Sequence, residues 1–397
     1  MKGRKFLSSV GKHWLVLILI LGTLLLMTSC VPGAPAPPAE PIKIGAILDF
    51  TGFVSDWGPK CKAGMELALE EANYEVAGRP IEFIAEDGAS DPTTSLEKLK
   101  KLVERDNVHI SLGPLLGDCH LAVADYAVEN KVLMAALYNG MTELAPKHNW
   151  VIFPTTCYAQ TIPMGWYAYD VLGYRTMVTV GSDFTAGWDY VNGAADAFKE
   201  RGGTVIQQIW TDMATADYAP YLATVQKADC VMHMIAGIMQ AERFELQYLD
   251  SGIGMPTIHL TQDGHHTPPV LVDYGDKVLG IIGESSYLPT LDTPVNNAFA
   301  AAMEAKTGMK PGGEEVNSYV VTKVILAALE ATGGDDSFDK LWPAVLAVKM
   351  ETPQGPVSFD QNGVALTDMY VSQVQKINGE YVLVPIKIYP PVTDPRL

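Results

Sequence analysis

The sequence predicts an α/β fold made of two doubly wound parallel-sheet lobes, and three observations carry this. Short apolar, strand-like runs alternate with helical repeats along nearly the whole chain, a rhythm that requires parallel pairing with helices on both sheet faces. The rhythm breaks after Val151–Pro154 and then restarts. Finally, a folded body of roughly 355 residues exceeds what one core usually holds, so two domains are expected.

The elements follow in order. Ile42–Leu48 is a short apolar strand, after which Cys61, Met65, Ala68, Leu69 and Ala72 recur at helical spacing. Pro80–Ala85 is the next strand. Asp91 suits a helix cap and Pro92 the first helical position, and Leu96, Leu99, Leu102 and Val103 form that helix's apolar face. A strand at His109–Leu112, a helix at Asp118–Val128 capped by Asp118, and a strand at Val132–Ala136 close the first unit. The second unit reads as helix Ala159–Leu172, strand Thr176–Val180, helix Gly187–Arg201, strand Thr204–Trp210 and helix Tyr218–Lys227. Strand Cys230–Met234, helix Gln240–Leu249 and strand Thr257–Leu260 complete it. Three helices follow at Val295–Lys306, Val316–Ala331 and Phe338–Val348, with Gly333-Gly334 as a stop signal. Met369–Lys376 and Tyr381–Ile388 pair through Asn378-Gly379, a strong hairpin signal.

The N-terminus lies outside this pattern. Lys2, Arg4, Lys5 and Lys12 precede an apolar run, Trp14–Met27, too short for the ~20 residues of a comfortable bilayer span. Basic leader, short apolar run and small residues describe an export signal over residues 1–29. Met27-Thr28-Ser29-Cys30 resembles a bacterial lipobox, with Met27 in place of the usual leucine; the resemblance implies cleavage before Cys30 and its lipidation. The following VPGAPAPPAEP is an extended spacer, at ~3.1 Å per residue on the order of 30 Å long. The chain carries a net charge of −18, and loss of the basic leader makes it more negative. Nucleic acid, which needs basic patches, is therefore not an expected partner. Cys61, Cys119, Cys157 and Cys230 could form two disulfides in three ways, but they are far apart and show no metal spacing; Cys61 on a helix's apolar stripe and Cys230 inside a strand favour free thiols.

Ligands of open parallel sheets bind beyond the carboxyl ends of the strands. Here those ends carry DFTGFVSDWG, GPLLGD, ALYNG, GSDFTAGWD and TQDGHH. The candidate ligand-binding residues in or beside them are Trp57, Leu116, Gly117, Asp118, Tyr138, Asn139, Gly140, Ala186 and Asp263. Trp57 is large for a turn, and an aromatic wall against a solute explains it. Asp263 precedes Gly264, so a plain turn role competes with a ligand role. His259, Asp263, His265 and His266 raise the question of a metal. Adjacent loop histidines rarely converge, however, and no cysteine or second carboxylate has matching spacing, so no metal is expected. His233, inside an apolar strand, reads as a core histidine. The sequence contains no G-x-S-x-G, P-loop or G-x-G-x-x-G; no catalytic residue and no cofactor is expected.

Several stretches together resemble the type I periplasmic binding proteins of ABC importers, in the Leu/Ile/Val-binding branch: IKIGAILDFTG, WGPKCKAGMELALEEAN, EDGASDP, GPLLGDCHLAVADYAVENKVLM, YGDKVLGIIGESSY, TPQGPVSFDQNG and YVSQVQ. The similarity spans residues 42–390. It implies two α/β lobes joined by a three-crossover hinge, with lobe 1 at 42–152 plus 285–362 and lobe 2 at 153–284 plus 363–397. It also implies a monomeric binder, anchored by lipid on the outer face of the cell membrane, that passes an amino-acid-like or amide-like solute to a permease. Where amino acid binders offer a serine, a threonine and a tyrosine, this chain has Gly117, Gly140 and Ala186. The acidic residue that receives a ligand ammonium matches Asp263, and Trp57 matches a ligand-facing aromatic. A sensory receptor lobe and a hydrolase are the alternatives from other function classes.

Overall fold

The computed structural model describes residues 40–397. The expected export signal, the expected lipidation site Cys30 and the proline-rich stretch up to Ala39 lie outside the described residues.

The first half runs β1 (Ile42–Leu48), α1 (Trp57–Glu71), β2 (Glu75–Val76), β3 (Arg79–Asp87), α2 (Pro92–Glu104), β4 (Ile110–Leu112), α3 (Gly117–Glu129), β5 (Leu133–Ala136) and β6 (Trp150–Ile152). The second runs α4 (Cys157–Asp170), β7 (Thr176–Ser182), α5 (Thr185–Glu200), β8 (Thr204–Thr211), α6 (Ala219–Leu222), β9 (Cys230–Met234), α7 (Ile238–Asp250), β10 (Thr257–His259), α8 (Gln262–His265), α9 (Pro268–Tyr274) and β11 (Ile282–Ser285). Then come α10 (Pro294–Thr307), α11 (Gly313–Ala331), α12 (Phe338–Ala347), β12 (Met350–Thr352), β13 (Gly355–Phe359), β14 (Ala365–Leu366), β15 (Met369–Ile377) and β16 (Glu380–Tyr389).

One sheet has the order β2-β3-β1-β4-β5-β6 and the other β16-β15-β11-β10-β9-β7-β8. Each contains five parallel strands in the same doubly wound order: β3-β1-β4-β5-β6 and β8-β7-β9-β10-β11. The strand order therefore reverses once in each sheet, between β1 and β4 and between β7 and β9, which is where such folds place ligands. The chain crosses between the sheets three times: after β6, after β11, and between β14 and β15. This is the two-lobed, three-crossover architecture the sequence predicts.

The core of the first lobe forms where α1 and α11 cover its sheet. Cys61, Met65 and Leu69 of α1 and Val320, Val324 and Ile325 of α11 pack with Ile42 and Ile44. Burying each large aliphatic side chain contributes about 1.5–3 kcal/mol. Helix α11 is buried on almost every side, as a helix with apolar residues all round must be. It begins at Gly313, three residues before the apolar repeat at Val316 announces it, and that added turn reaches the cleft.

Two local expectations are corrected. The Tyr218–Lys227 helix is only four residues long. Beyond it, Gln207 takes over the backbone, its amide donating to the Thr224 carbonyl at 3.0 Å and its oxygen accepting from the Gln226 N–H at 2.9 Å. The N-cap of α3 is Leu116 rather than Asp118, and it makes no side-chain cap bond; Asp118 sits in the first turn. The described cysteines Cys61, Cys119, Cys157 and Cys230 are free and buried. Burial pushes the thiols of Cys119 and Cys230 up to about 12. The Met369–Ile377 and Glu380–Tyr389 strands pair antiparallel through Asn378 and Gly379, both at positive φ.

His120 of α3 joins the loops that follow β4 and β5. Its Nε2 lies 2.6 Å from the Pro114 carbonyl and its Nδ1 3.3 Å from that of Asn139. Complete burial pushes its pKa down to about 4, even though both carbonyls favour the protonated ring. The unfolded chain therefore binds the proton first as pH falls, so this histidine's contribution is full above about pH 6.5 and is lost towards about pH 4. His120→Gln should lessen the acid loss of stability by up to ~1.4 kcal/mol per pH unit across that window. Urea unfolding of both proteins near pH 7 and pH 5 measures this, and parallel losses would refute it.

Candidate ligand-binding cleft

The loop after β1 is held by carboxylates. Asp49 Oδ1 accepts the Ser90 N–H at 2.7 Å, and Asp87 Oδ1 accepts those of Phe50 and Ala89 at 3.0 and 2.9 Å. Burial pushes Asp49 up to about 6, against the Ser90 bond. Gly52 has φ +90°, and a Cβ there would lie 2.2 Å from the Ala89 carbonyl oxygen, so only glycine fits. The loop so fixed delivers Phe53, Val54 and Trp57 to the mouth of the sheet.

Trp57 opens α1, with its ring 5.5 Å from that of Tyr138 and tilted 41° to it. Trp57 Nε1 and Tyr138 Oη are both buried without a hydrogen-bond partner in the protein. Burial, with Glu314 and Asp263 nearby, holds the Tyr138 phenol well above its ordinary range. Asn139 spends its amide on the Leu115 carbonyl at 2.9 Å. Asp263, on the short α8, is tied to the segment that leaves β11: its Oδ2 accepts the Ser286 N–H at 2.9 Å, the Ser286 hydroxyl at 2.7 Å and the Tyr287 N–H at 2.9 Å. Burial raises its pKa and these bonds oppose the rise.

These groups meet Gln160, Phe184, Tyr190, Met234 and Thr261 around a narrow cavity of about 30 Å³, room for water but not for a solute while the lobes sit this close. The structure places Trp57, Leu116, Tyr138, Asn139 and Asp263 on its wall. Gly117, Asp118 and Ala186 lie instead at a contact between lobes. A Cβ on Gly117 would be 3.6 Å from that of Ala186, and the Thr185 hydroxyl donates to Asp118. Gly140 packs under the first crossing, where its carbonyl accepts the Cys157 N–H at 2.8 Å and a Cβ would strike Ile152.

Sequence reasoning missed Glu314, in the first turn of α11. It is buried on the cavity wall, its Oε2 has no partner, and Lys60 Nζ stands 3.9 Å from its Oε1. Burial pushes it up to about 7, with Lys60 opposing and Glu315 adding to the rise. The signal was present as Gly312-Gly313-Glu314-Glu315 before an apolar run, a helix start with acidic residues in its first turn. Behind Thr261, Glu284 Oε2 accepts from the Gln160 amide at 3.1 Å, and burial holds Glu284 well above the carboxylate range. Among the described residues, no lysine or arginine lines the cavity. A larger space of about 320 Å³ opens on the far side of Asp263, between α9, α10 and β16. It lies away from both strand-order reversals, so the smaller cavity is the candidate site.

Comparison with known proteins agrees with this geometry. A family model described as periplasmic binding protein matches residues 41–379. The Leu/Ile/Val-binding protein homolog 6 of Brucella suis biovar 1 (strain 1330) is 27% identical over 375 residues, covering 92% of this chain and 95% of the relative. An ABC transporter substrate-binding protein from Sphaerobacter thermophilus superposes with a TM-score of 0.84 at 28% identity, over 89% of this chain and 99% of the other. A solute binding protein of an ABC transporter from Rhodopseudomonas palustris HaA2, in complex with p-hydroxybenzoic acid, gives 0.85 at 26% identity, over 90% and 99%.

Gly313 is tightly held against Tyr138, since a Cβ on Gly313 would lie 2.2 Å from Tyr138 Oη but 3.4 Å from Cζ. Gly313→Ala should therefore cost about 1–3 kcal/mol through overpacking, and adding Tyr138→Phe should recover most of it. Denaturant melts of the single and double variants test this; a double variant no more stable than Gly313→Ala would refute it.

Proposed function

The chain belongs to the periplasmic binding protein family, a family of binders rather than catalysts, and we propose that it is the lipid-anchored solute-capturing component of an ABC importer. On this reading residues 1–29 are removed and Cys30 carries the acyl chains outside the cytoplasm. Residues 30–41 form the tether. Lobe 1 comprises 42–152 with 285–362, and lobe 2 comprises 153–284 with 363–397. Two or more acyl chains suffice for stable anchoring. A solute favours the form in which the lobes meet, and its differential affinity for that form drives closure.

One observation carries the ligand reading: the cavity wall holds Asp263 and Glu314 but no lysine or arginine, against the aromatic rings of Phe53, Trp57, Tyr138, Phe184 and Tyr190. Such a wall suits an amino-acid-like or amide-like solute with an apolar or aromatic body and an N–H-bearing end. An ammonium or amide would donate to the unpartnered Glu314 Oε2. A second reading, an aromatic acid, draws support from the unpartnered donors Trp57 Nε1 and Tyr138 Oη and from the relative that holds p-hydroxybenzoic acid.

The two readings separate in a thermal-shift panel of aromatic and branched amino acids, their amides and amines, and hydroxybenzoates, because a ligand bound by the native state raises Tm. Amino compounds should give the shift; a shift from hydroxybenzoates alone would refute the first reading. Since Glu314 is pushed up to about 7, it gains its charge as pH rises through that value. Affinity for an ammonium ligand should therefore rise by up to about tenfold per pH unit between about pH 6 and pH 7. Glu314→Gln should flatten this profile and weaken binding by at least about tenfold, ~1.4 kcal/mol; calorimetric titration measures both. Cys30→Ser should move the protein from the membrane to the soluble extracytoplasmic fraction, and unchanged fractionation would refute the anchor.

A further inference from the structure

Half of the chain's eight histidines meet one glutamate inside the second lobe. They come from four places in the fold: His233 from β9, Glu245 from α7, His259 from β10, and His265 with His266 from α8 and its C-cap. All five are buried. The His259 ring centroid lies 4.5 Å from that of His233, 5.1 Å from His265 and 4.9 Å from His266. The adjacent loop histidines thus do converge, because β9 and β10 are neighbouring parallel strands and α8 folds back over their ends.

The hydrogen bonding of this cluster is incomplete. Glu245 Oε2 lies 2.6 Å from His266 Nε2, and that pair uses only two of the polar atoms present. Among the described residues, both nitrogens of His233, Oε1 of Glu245, Nε2 of His259 and Nε2 of His265 are buried with no hydrogen-bond partner, and His233 Nε2 stands 3.9 Å from Glu245 Oε1. A carbonyl can only accept, so the 2.7 Å contact from His259 Nδ1 to the Leu260 carbonyl puts the proton on Nδ1. The Nε2 lone pair then points bare into the cluster. Unpartnered buried polar atoms are rare in folded proteins, and five in one place ask for something that accepts lone pairs from several sides at once. A proton serves two atoms; a metal ion serves four.

We propose that this cluster binds one divalent transition-metal ion of the zinc type, with His233, His259, His266 and the Glu245 carboxylate as ligands. Donor atoms of Glu245, His259 and His266 already lie within 4.8 Å of one another. A tetrahedral ion with ligands at ~2.0–2.1 Å sets donors about 3.4 Å apart, so side-chain rotation brings these three together; His233 lies outside that trio, with its Nε2 3.9 Å from Glu245 Oε1, and turns in as the fourth ligand. Three imidazoles and one carboxylate suit zinc, cobalt or nickel and disfavour calcium and magnesium, which prefer all-oxygen sites. The surroundings support such a site. His259 is oriented by the Leu260 carbonyl, and Gln262 lies 3.0 Å from His266 Nδ1 while contacting Ser372 at 2.6 Å. With metal on Nε2, the proton moves to Nδ1 and the Gln262 amide turns its oxygen to receive it, the usual arrangement behind a ligating histidine. The ion would brace α8, the element that presents Asp263 to the cleft.

The test uses the full chain, stripped with EDTA and reloaded with Zn²⁺ or Co²⁺. One equivalent should survive gel filtration, and the Co²⁺ form should show the intense visible bands of four-coordinate cobalt. Glu245→Gln and His259→Gln should each weaken retention by about 10–100-fold, while His109→Gln, at an exposed surface position, should leave it unchanged. No retention by the wild-type chain would overturn the proposal, independently of whether the variants fold. So would retention by both cluster variants equal to wild type, or a cobalt–thiolate charge-transfer band placing the ion on a cysteine.

Discussion

One oxygen of Asp263 accepts three hydrogen bonds from two consecutive residues of the segment that crosses between the sheets. The rest of the cleft is built around that junction. A strand-end loop of the second lobe is thereby fixed to a hinge segment, so the acidic group facing the cavity cannot move independently of the crossover. Hydrogen bonds to a charged acceptor contribute about 1.5–3 kcal/mol each, and three at one oxygen offset much of the penalty of burying the carboxylate. On the first-lobe side, Asp49 and Asp87 tie the loops after β1 and β3 together in the same manner. In both lobes a buried carboxylate gathers backbone donors at the carboxyl end of a sheet, where the ladder can no longer satisfy them.

This use of carboxylates gives the cavity its electrostatic character. Burial raises the proton affinity of Asp49, Asp263, Glu284 and Glu314, and Lys60 stands 3.9 Å from Glu314. The cavity wall therefore presents two buried carboxylates, Asp263 and Glu314, and Glu314 Oε2 has no hydrogen-bond partner among the described residues. A solute that donates hydrogen bonds or carries positive charge relieves that deficit. A solute bearing only a carboxylate must rely on neutral donors such as the indole of Trp57 and the phenol of Tyr138. On the proposed reading, recognition rests on which groups are left unpaired when the lobes meet.

What the sequence revealed and what it hid have physical reasons. The alternating pattern, the Asn378-Gly379 turn and the cap at Asp91 are local signals, and the structure reproduces them, with the Asp91 side chain accepting the Thr94 N–H at 2.7 Å. Trp57, Tyr138 and Asp263 were legible because they sit at strand ends, where the fold class itself locates ligands. Glu314 was not, because a polar first turn carries no apolar period and reads as solvated; only packing against Tyr138 and Lys60 places it inside. The histidine cluster was hidden for a different reason: its members come from four separated segments, and sequence proximity of His265 and His266 says nothing about His233 or Glu245. The Tyr218–Lys227 stretch failed as a helix because Gln207, distant in sequence, supplied competing hydrogen bonds.

The contact from Thr185 to Asp118 joins the lobes at the exposed edge of the cleft. Water competes for both groups there, so a bond of this kind contributes only about 0.5–1.5 kcal/mol. Gly117 and Ala186 beside it offer each other little surface. The lip of the molecule is thus a weak clasp, easily parted by thermal motion, and how long a captured molecule stays inside is set by what it touches in the interior. A carrier of this design unloads readily once something else, at its destination, holds the halves apart.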